Sequence, residues 1–313
     1  MSCQAGYTQP NRRRHPPQVR TFAGSCAAFL RVFILAVFCA ALVSCMSMRQ
    51  VTKRIVTPFF YMTQHDVYAA FSVPQNREFS EALFKIFFPT ADDASTEQLL
   101  SAIKFIYAGI DLNAGTRDME LVLTGAFPVF ILNNAIAKQR GWSEQSIGAH
   151  KYFRHGTGFE LYISPTAIFF ASTVKQMLGN MDSGEKYPFD TERAPAWMSG
   201  KERFTDKRIA FFVPRIMPLL PAGLSGLAAF LGAGTLAQSS AEGTLVQNDD
   251  NTAEITVDAD LGNARSVQAL LPLVRGTIEA NGMRVREKQD APSHLAIEGT
   301  LKQFNLYDII RQR

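Results

Sequence analysis

Residues 253–280, AEITVDADLGNARSVQALLPLVRGTIEA, carry the two periodicities on which a reading of the fold rests. Ile255, Val257, Ala259 and Leu261 alternate with Thr256, Asp258 and Asp260, the two-residue period of a strand with one dry face and one wet face. Val267, Leu270, Leu271, Val274 and Ile278 follow at i, i+3, i+4, i+7 and i+11. That spacing lines one side of a helix, and such a helix covers the dry face of a sheet. Pro272 falls inside the stripe and is expected to kink it.

Outward from this unit the same types of element recur. Upstream lie strands at 209–214, 243–247 and 253–261 with a helix at 221–231; downstream lie strands at 285–288 and 295–301 and a short helix from Leu306. The earlier part of the chain reads as a strand at 67–73, helices at 78–87 and 96–106, a strand pair at 107–113 and 119–127, and a helix at 128–140. Strands at 152–154, 159–164 and 167–172 and a helix at 174–181 complete it. Pro128 opens its helix and Gly141 follows it, the asymmetry of helix termini. Phe159, Leu161 and Ile163 alternate with Glu160, Tyr162 and Ser164, again as one dry and one wet face. An order of types that occurs twice decides architecture before any motif does. The expectation is an α+β fold of two tandem ferredoxin-like β-α-β-β-α-β units, with mostly antiparallel sheets and helices on one face. The first repeat would span 66–183, a linker rich in Pro, Gly and charge 184–207, and the second repeat 208–313. This element order resembles that of uncharacterised bacterial envelope proteins made of a duplicated α+β domain, a likeness that implies no activity.

The N-terminal part is of another kind. The first 44 residues contain Arg12, Arg13, Arg14, Arg20 and Arg31 and no Lys, Asp or Glu, and an uncharged apolar run from Val32 to Val43 follows. A basic region ahead of a short apolar one is an export signal. Twelve residues at about 1.5 Å each cover roughly 18 Å, short of the roughly 30 Å hydrocarbon layer. Leu42, Val43 and Ser44 lead to Cys45, and this resembles the lipobox of bacterial lipoproteins, with Val43 bulkier than the residue usual in its slot. The resemblance implies that residues 1–44 are a signal peptide removed by the lipoprotein signal peptidase and that Cys45 becomes the acylated N-terminus. Met46 after the cysteine implies, by the same family's sorting habit, the outer membrane of a diderm bacterium. Residues 45–65 would then be the lipidated cysteine and a tether. Cysteine usage agrees: Cys3, Cys26 and Cys39 lie in the leader, so the body retains Cys45 and forms no internal disulfide.

The formal charge of +4 belongs to the leader. Without its five arginines, 27 Lys and Arg face 28 Asp and Glu. They are interspersed, whereas a nucleic-acid partner needs a clustered basic face; none is expected. His65, His150, His155 and His294 have no metal-ligand spacing, no GxSxG elbow occurs, and Asp249, Asp250 and Asn251 lack the glycine and glutamate of a calcium loop. No metal, cofactor or catalytic residue is therefore expected. Gly232, Gly234 and Ala237 follow a helix instead of a strand and read as a cap and turn.

The longest uncharged stretch is Ile216 to Ala241, and its apolar segment Ile216 to Leu236 has Leu220, Leu224, Leu227 and Leu231 on one stripe, with Phe230 leaving almost no polar face. It reads first as a buried core helix, as do residues 127–132, and second as a membrane or ligand contact, because an exposed apolar patch of that size needs a partner. The expected function is a non-enzymatic, lipid-anchored envelope protein that binds or scaffolds an unknown protein or lipid ligand. The alternatives are a membrane-inserting or lipid-binding protein that uses Ile216 to Leu236, and a hydrolase with a dispersed site.

Overall fold

Each strand found here pairs antiparallel with its neighbours, and together they make one sheet. The computed structural model describes residues 57–87, 93–111, 119–183, 189, 192–199, 204, 206–216, 239–248, 252–280 and 282–301. Residues Met1–Ile55 and Val56–Arg313 form separate units, and only the second is described here. The signal peptide, Leu42, Val43, Ser44, Cys45 and the tether up to residue 56 lie outside the described residues. So do Leu220, Leu224, Leu227, Phe230 and Leu231 with the rest of the apolar stretch after Ile216, the glycines 232 and 234, residues 249–251 and the expected terminal helix.

The strands are β1 (Val67–Ser72), β2 (Ile103–Ile110), β3 (Met119–Gly125), β4 (Trp142–Ile147), β5 (His150–His155) and β6 (Glu160–Ile163). They continue with β7 (Ala167–Ala171), β8 (Ile209–Val213), β9 (Ser240–Gln247), β10 (Ala253–Asp260), β11 (Met283–Lys288) and β12 (Ala291–Leu301). The helices are α1 (Arg77–Phe87), α2 (Asp93–Ala102), α3 (Val129–Ala137), α4 (Lys175–Ser183) and α5 (Ala264–Ala280), with 3-10 turns at Pro58–Tyr61 and Ala196–Ser199. The twelve strands lie in the order β11-β12-β10-β9-β8-β1-β2-β3-β7-β6-β5-β4.

The expected pair of ferredoxin-like β-α-β-β-α-β units with helices on one face is therefore overturned. Such units use crossover helices to join strands that run parallel and are not adjacent in the sheet. Here α1 and α2 lie between β1 and β2, yet return the chain antiparallel beside β1, from Val67 opposite Ile110 to Ser72 opposite Phe105. The seam is β1 against β8, Tyr68 opposite Phe212, which fuses the segments into one sheet. On each side of that seam three strands meander outward. A helix then crosses to the far edge, and the strands after it return to pair with the third strand.

Helices cover both faces. Residues of one parity (Phe71, Ile106, Leu121, Leu123, Ile168, Phe170) pack under α1, α2 and α3 through Phe79, Leu83, Leu99, Leu132 and Ile136. Residues of the other parity (Tyr68, Ala70, Val122, Phe169, Phe212) pack beneath the 3-10 turns and α4 through Phe59, Met62, Met177, Leu178, Trp197 and Met198. Phe189, Ala194 and Phe204, from the stretch expected to link two repeats, pack on this second core. On the first face the core continues under α5, where Val267, Leu270, Leu271 and Ile278 meet Val257, Ala259 and Leu261. The 253–280 unit thus does what its periodicities require, and α5 continues through Pro272.

The second layer also explains why Glu160 is not on a wet face. Its residue is 1% exposed. Its Oε1 accepts from Arg154 Nε at 2.8 Å, and its Oε2 accepts from the Val174 amide at 2.9 Å. This ties β6 to the start of α4. Glu160→Gln leaves one amide hydrogen without an acceptor and weakens the arginine contact, so unfolding stability in urea should fall by about 2 kcal/mol. A change under about 0.5 kcal/mol would show that this carboxylate does not hold the layer.

Candidate functional site

The sequence FPVFILNNAIA, residues 127–137, is apolar enough for a core helix, and the structure places it on the surface. Phe127 is buried, but no residue of α3 is, and Phe130 and Ile131 are 79% and 60% exposed. The expectation of a core helix at 127–132 is corrected: the sheet supplies a floor for one side of α3 and nothing among the described residues covers the other. Local forces do little to hold it. Pro128 makes no side-chain cap, the first turn has no acid and the last no base, and nine residues fall short of the length at which an isolated helix persists. Packing of Val129, Leu132 and Ile136 on the sheet is what fixes it.

Beneath α3 is a cavity of about 140 Å³. Leu132, Ala135 and Ile136 form its roof, Leu83 and Leu99 its sides, and Ile106, Leu121, Leu161, Ile168 and Phe170 its floor. Ser80 and Gln139 are the polar residues on its lining. The space is partly open to solvent, and its apolar lining suits an apolar guest about as large as benzene. Lys138 and Arg140 follow α3 and are exposed.

A buried polar cluster lies at the start of β1. His65 is 3% exposed, with Nε2 at 3.0 Å from Glu120 Oε2 and Nδ1 at 3.2 Å from Asp111 Oδ2. Thr63 donates to Glu120 twice, from its amide (2.7 Å) and its hydroxyl (2.9 Å), and the Asp66 amide donates to Asp111 at 3.1 Å. The Tyr68 hydroxyl donates to the Thr63 carbonyl and accepts from the His65 amide, each at 2.9 Å. Burial is the largest influence on His65 and acts to lower its pKa. The hydrogen bond and charge of Glu120 and the charge of Asp111 together outweigh it and raise the value above 6.5. Thr63 Oγ1 also lies 3.3 Å from Nε2, so hydroxyl, imidazole and carboxylate stand in the order of a nucleophile relay. The hydroxyl proton is committed otherwise: Thr63 Oγ1 donates to Glu120 Oε1 at 2.9 Å, so it is not offered to the ring.

A polar cleft of about 350 Å³ lies on the other face of the later strands, between Trp197, Glu242, Thr244, Thr256, Asp258 and Glu298. Two of its carboxylates are engaged: Asp258 contacts Lys288 Nζ and His294 Nδ1, each at 2.6 Å, and Glu298 lies 3.4 Å from Arg286. His150 contacts Asp182 at 2.9 Å, and His155 contacts Thr157 at 2.7 Å. Among the described residues no group of three or more His, Cys, Asp and Glu is arranged to hold a metal ion, and no helix is long and apolar enough to cross a membrane. Sequence reasoning missed α3 as a surface element and His65 as a cluster. The composition of α3 is visible but its lack of a cover is not, and the partners of His65 lie 46 and 55 residues away.

Comparison with known proteins bears on the whole body. The family model described as outer membrane-associated lipoprotein TP0453 matches residues 53–299. Crystal form I of TP0453 superposes with a TM-score of 0.53 at 16% identity, covering 83% of this chain and 98% of that one. Crystal form III gives 0.52 at 17%, covering 83% and 99%. At such identity the likeness is one of fold. No curated protein matches the chain.

Proposed function

We propose, from the premise that the chain belongs to the TP0453 family of outer membrane-associated lipoproteins, that it is a non-catalytic envelope protein which binds lipid through α3 and the cavity beneath it. The observation that carries this reading is the pairing of Phe130 and Ile131, exposed on one side of α3, with an apolar cavity on the other. A short, uncapped helix with apolar side chains both outward and inward can rest on the acyl boundary of a bilayer and lift from the sheet without breaking a hydrogen-bond network. Lys138 and Arg140 would meet headgroup phosphates. Anchorage through acylated Cys45 keeps α3 near a membrane, and the expected outer-membrane location agrees with the family.

The earlier alternative placed the membrane contact in Ile216 to Leu236; the surface supported here is α3. No catalytic role is proposed: in the relay-like arrangement at His65 the threonine hydroxyl donates to Glu120 and not to the ring.

Two measurements test the proposal. Mass spectrometry of the natural N-terminus should find Cys45 acylated and residues 1–44 gone; a retained leader or an absent acyl mass overturns the anchor. For the cavity, a benzene-sized apolar probe should bind the unacylated body, and Ala135→Trp, which fills the roof, should weaken that binding at least tenfold. Equal binding by both proteins would retire the cavity as the site.

A further inference from the structure

We propose that His65 is a pH-operated hinge: its protonated ring locks the strap formed by residues 57–66 to the sheet, and its neutral ring releases the Thr63–Asp66 corner. The argument is one of proton counting. An imidazolium has two N–H donors and can serve both Glu120, from β3, and Asp111, just beyond β2. A neutral ring has one. If the remaining proton stays on Nε2 to serve Glu120, the Nδ1 lone pair faces the Asp111 carboxylate at 3.2 Å, acceptor against acceptor. If it moves to Nδ1, the Glu120 contact fails instead. The ring has no room to turn away, because it lies against the backbone of Gly109, where an added Cβ would come within 2.2 Å of its Cδ2.

The Asp111 side is the weaker. At 3.2 Å the Nδ1 contact has ion-pair distance without hydrogen-bond alignment; among the described residues Nδ1 is the one buried side-chain polar atom lacking a hydrogen bond. Asp111 is partly exposed and can turn to water, taking with it the bond from the Asp66 amide. The other groups facing the cluster do not replace the lost charge. Burial pushes the Tyr68 hydroxyl of β1 well above its ordinary pKa and keeps it neutral, Asp66 is a further acid on the strap, and Arg215, beyond β8, acts on Tyr68. The strap's other end stays put: Phe59 and Met62 are buried in the core, and Asn180 of α4 donates to the carbonyls of Tyr61 and Met62 at 3.2 Å. What loosens is a joint, not the body.

The sign follows from the raised value of His65. The contribution is complete below about 6.5, the unfolded value, and is lost as pH rises through the higher folded value. Since the strap continues toward Cys45, the hinge would set how freely the body pivots on its anchor. That consequence rests on the anchorage proposed above, whereas the hinge itself does not.

Amide hydrogen exchange on the full chain between pH 5.5 and 8.5, corrected for intrinsic rates, tests this. Protection of the Thr63 and Asp66 amides should fall at least tenfold across the His65 titration followed by NMR, while amides of Ile255 and Val257 in β10 stay constant. His65→Gln should abolish the step, and Asp111→Asn, at a partly exposed site, should move its midpoint down without unfolding the protein. A His65 midpoint at or below 6.5, protection that ignores pH, or a step shared equally by β10 would overturn the hinge.

Discussion

Phe130→Asp combined with Ile131→Asp should cut binding of the unacylated body to phospholipid vesicles by about 100-fold. Full burial of a Phe or Ile side chain contributes about 1.5–3 kcal/mol, and shallow insertion at an interface recovers roughly half of that. Two residues then give about 1.5–3 kcal/mol, and the cost of bringing two carboxylates to the acyl boundary takes the total to the upper end, which is about two decades in affinity. The same pair should barely change the unfolding free energy, within about 0.5 kcal/mol, because both side chains already face water in the folded body. This contrast separates a docking helix from a structural one. Leu132→Ala, on the inner side of α3, should instead lower stability and leave the outer surface intact. If the aspartate pair binds vesicles as well as the parent body, α3 is not the membrane contact. Raising the salt concentration should weaken parent binding on anionic vesicles only to the extent that Lys138 and Arg140 meet phosphates.

How far the sequence discloses this molecule depends on the range of each interaction. The alternation in 253–261 and the helical stripe in 264–280 are local patterns, and the packing of α5 on Val257, Ala259 and Leu261 follows from them. Pairing is not local. β1 meets β8 across a gap of more than a hundred residues, and nothing in either strand's composition names the other. The order of helices and strands is compatible both with crossovers and with meanders, so a correct list of elements still led to the wrong sheet. The expected helix at 96–106 is a case in point. The chain leaves α2 at Ala102 and enters β2 at Ile103 with no loop between, a junction invisible to either periodicity. β4, WSEQSI, has no apolar alternation to read; it exists because β5 offers it an edge. Glu160 and α3 fail in opposite directions for one reason. Burial is a property of what lies above a side chain, and a second layer covers the glutamate while none among the described residues covers Phe130.

The junction at Ala102 sets up the second large effect. Gly125→Ala should lower unfolding stability by about 3–4 kcal/mol and the melting temperature by about 10 °C. Gly125 closes β3, donating its amide to the Thr166 carbonyl at 3.1 Å, and an added Cβ would sit 2.0 Å from the carbonyl oxygen of Ala102 and 3.1 Å from the Phe127 ring. The first obstacle is backbone and cannot rotate aside. That oxygen is also held in place, since it accepts the Ala126 amide at 3.2 Å. A methyl group there must break this bond, costing about 1 kcal/mol, and displace the ends of β2 and β3 for the rest. The same substitution at Gly179 supplies the control. It lies within α4 with open space around its Cβ position, so Gly179→Ala should stabilise by about 0.5–1 kcal/mol through helix propensity alone. Urea melts of the two variants beside the parent decide the matter. Opposite signs at 125 and 179 mean that the close passage of β3 over Ala102 is as tight as drawn, while a loss below about 1 kcal/mol at 125 would mean that β2 and β3 part there at little cost, and that the cavity floor they build is correspondingly loose.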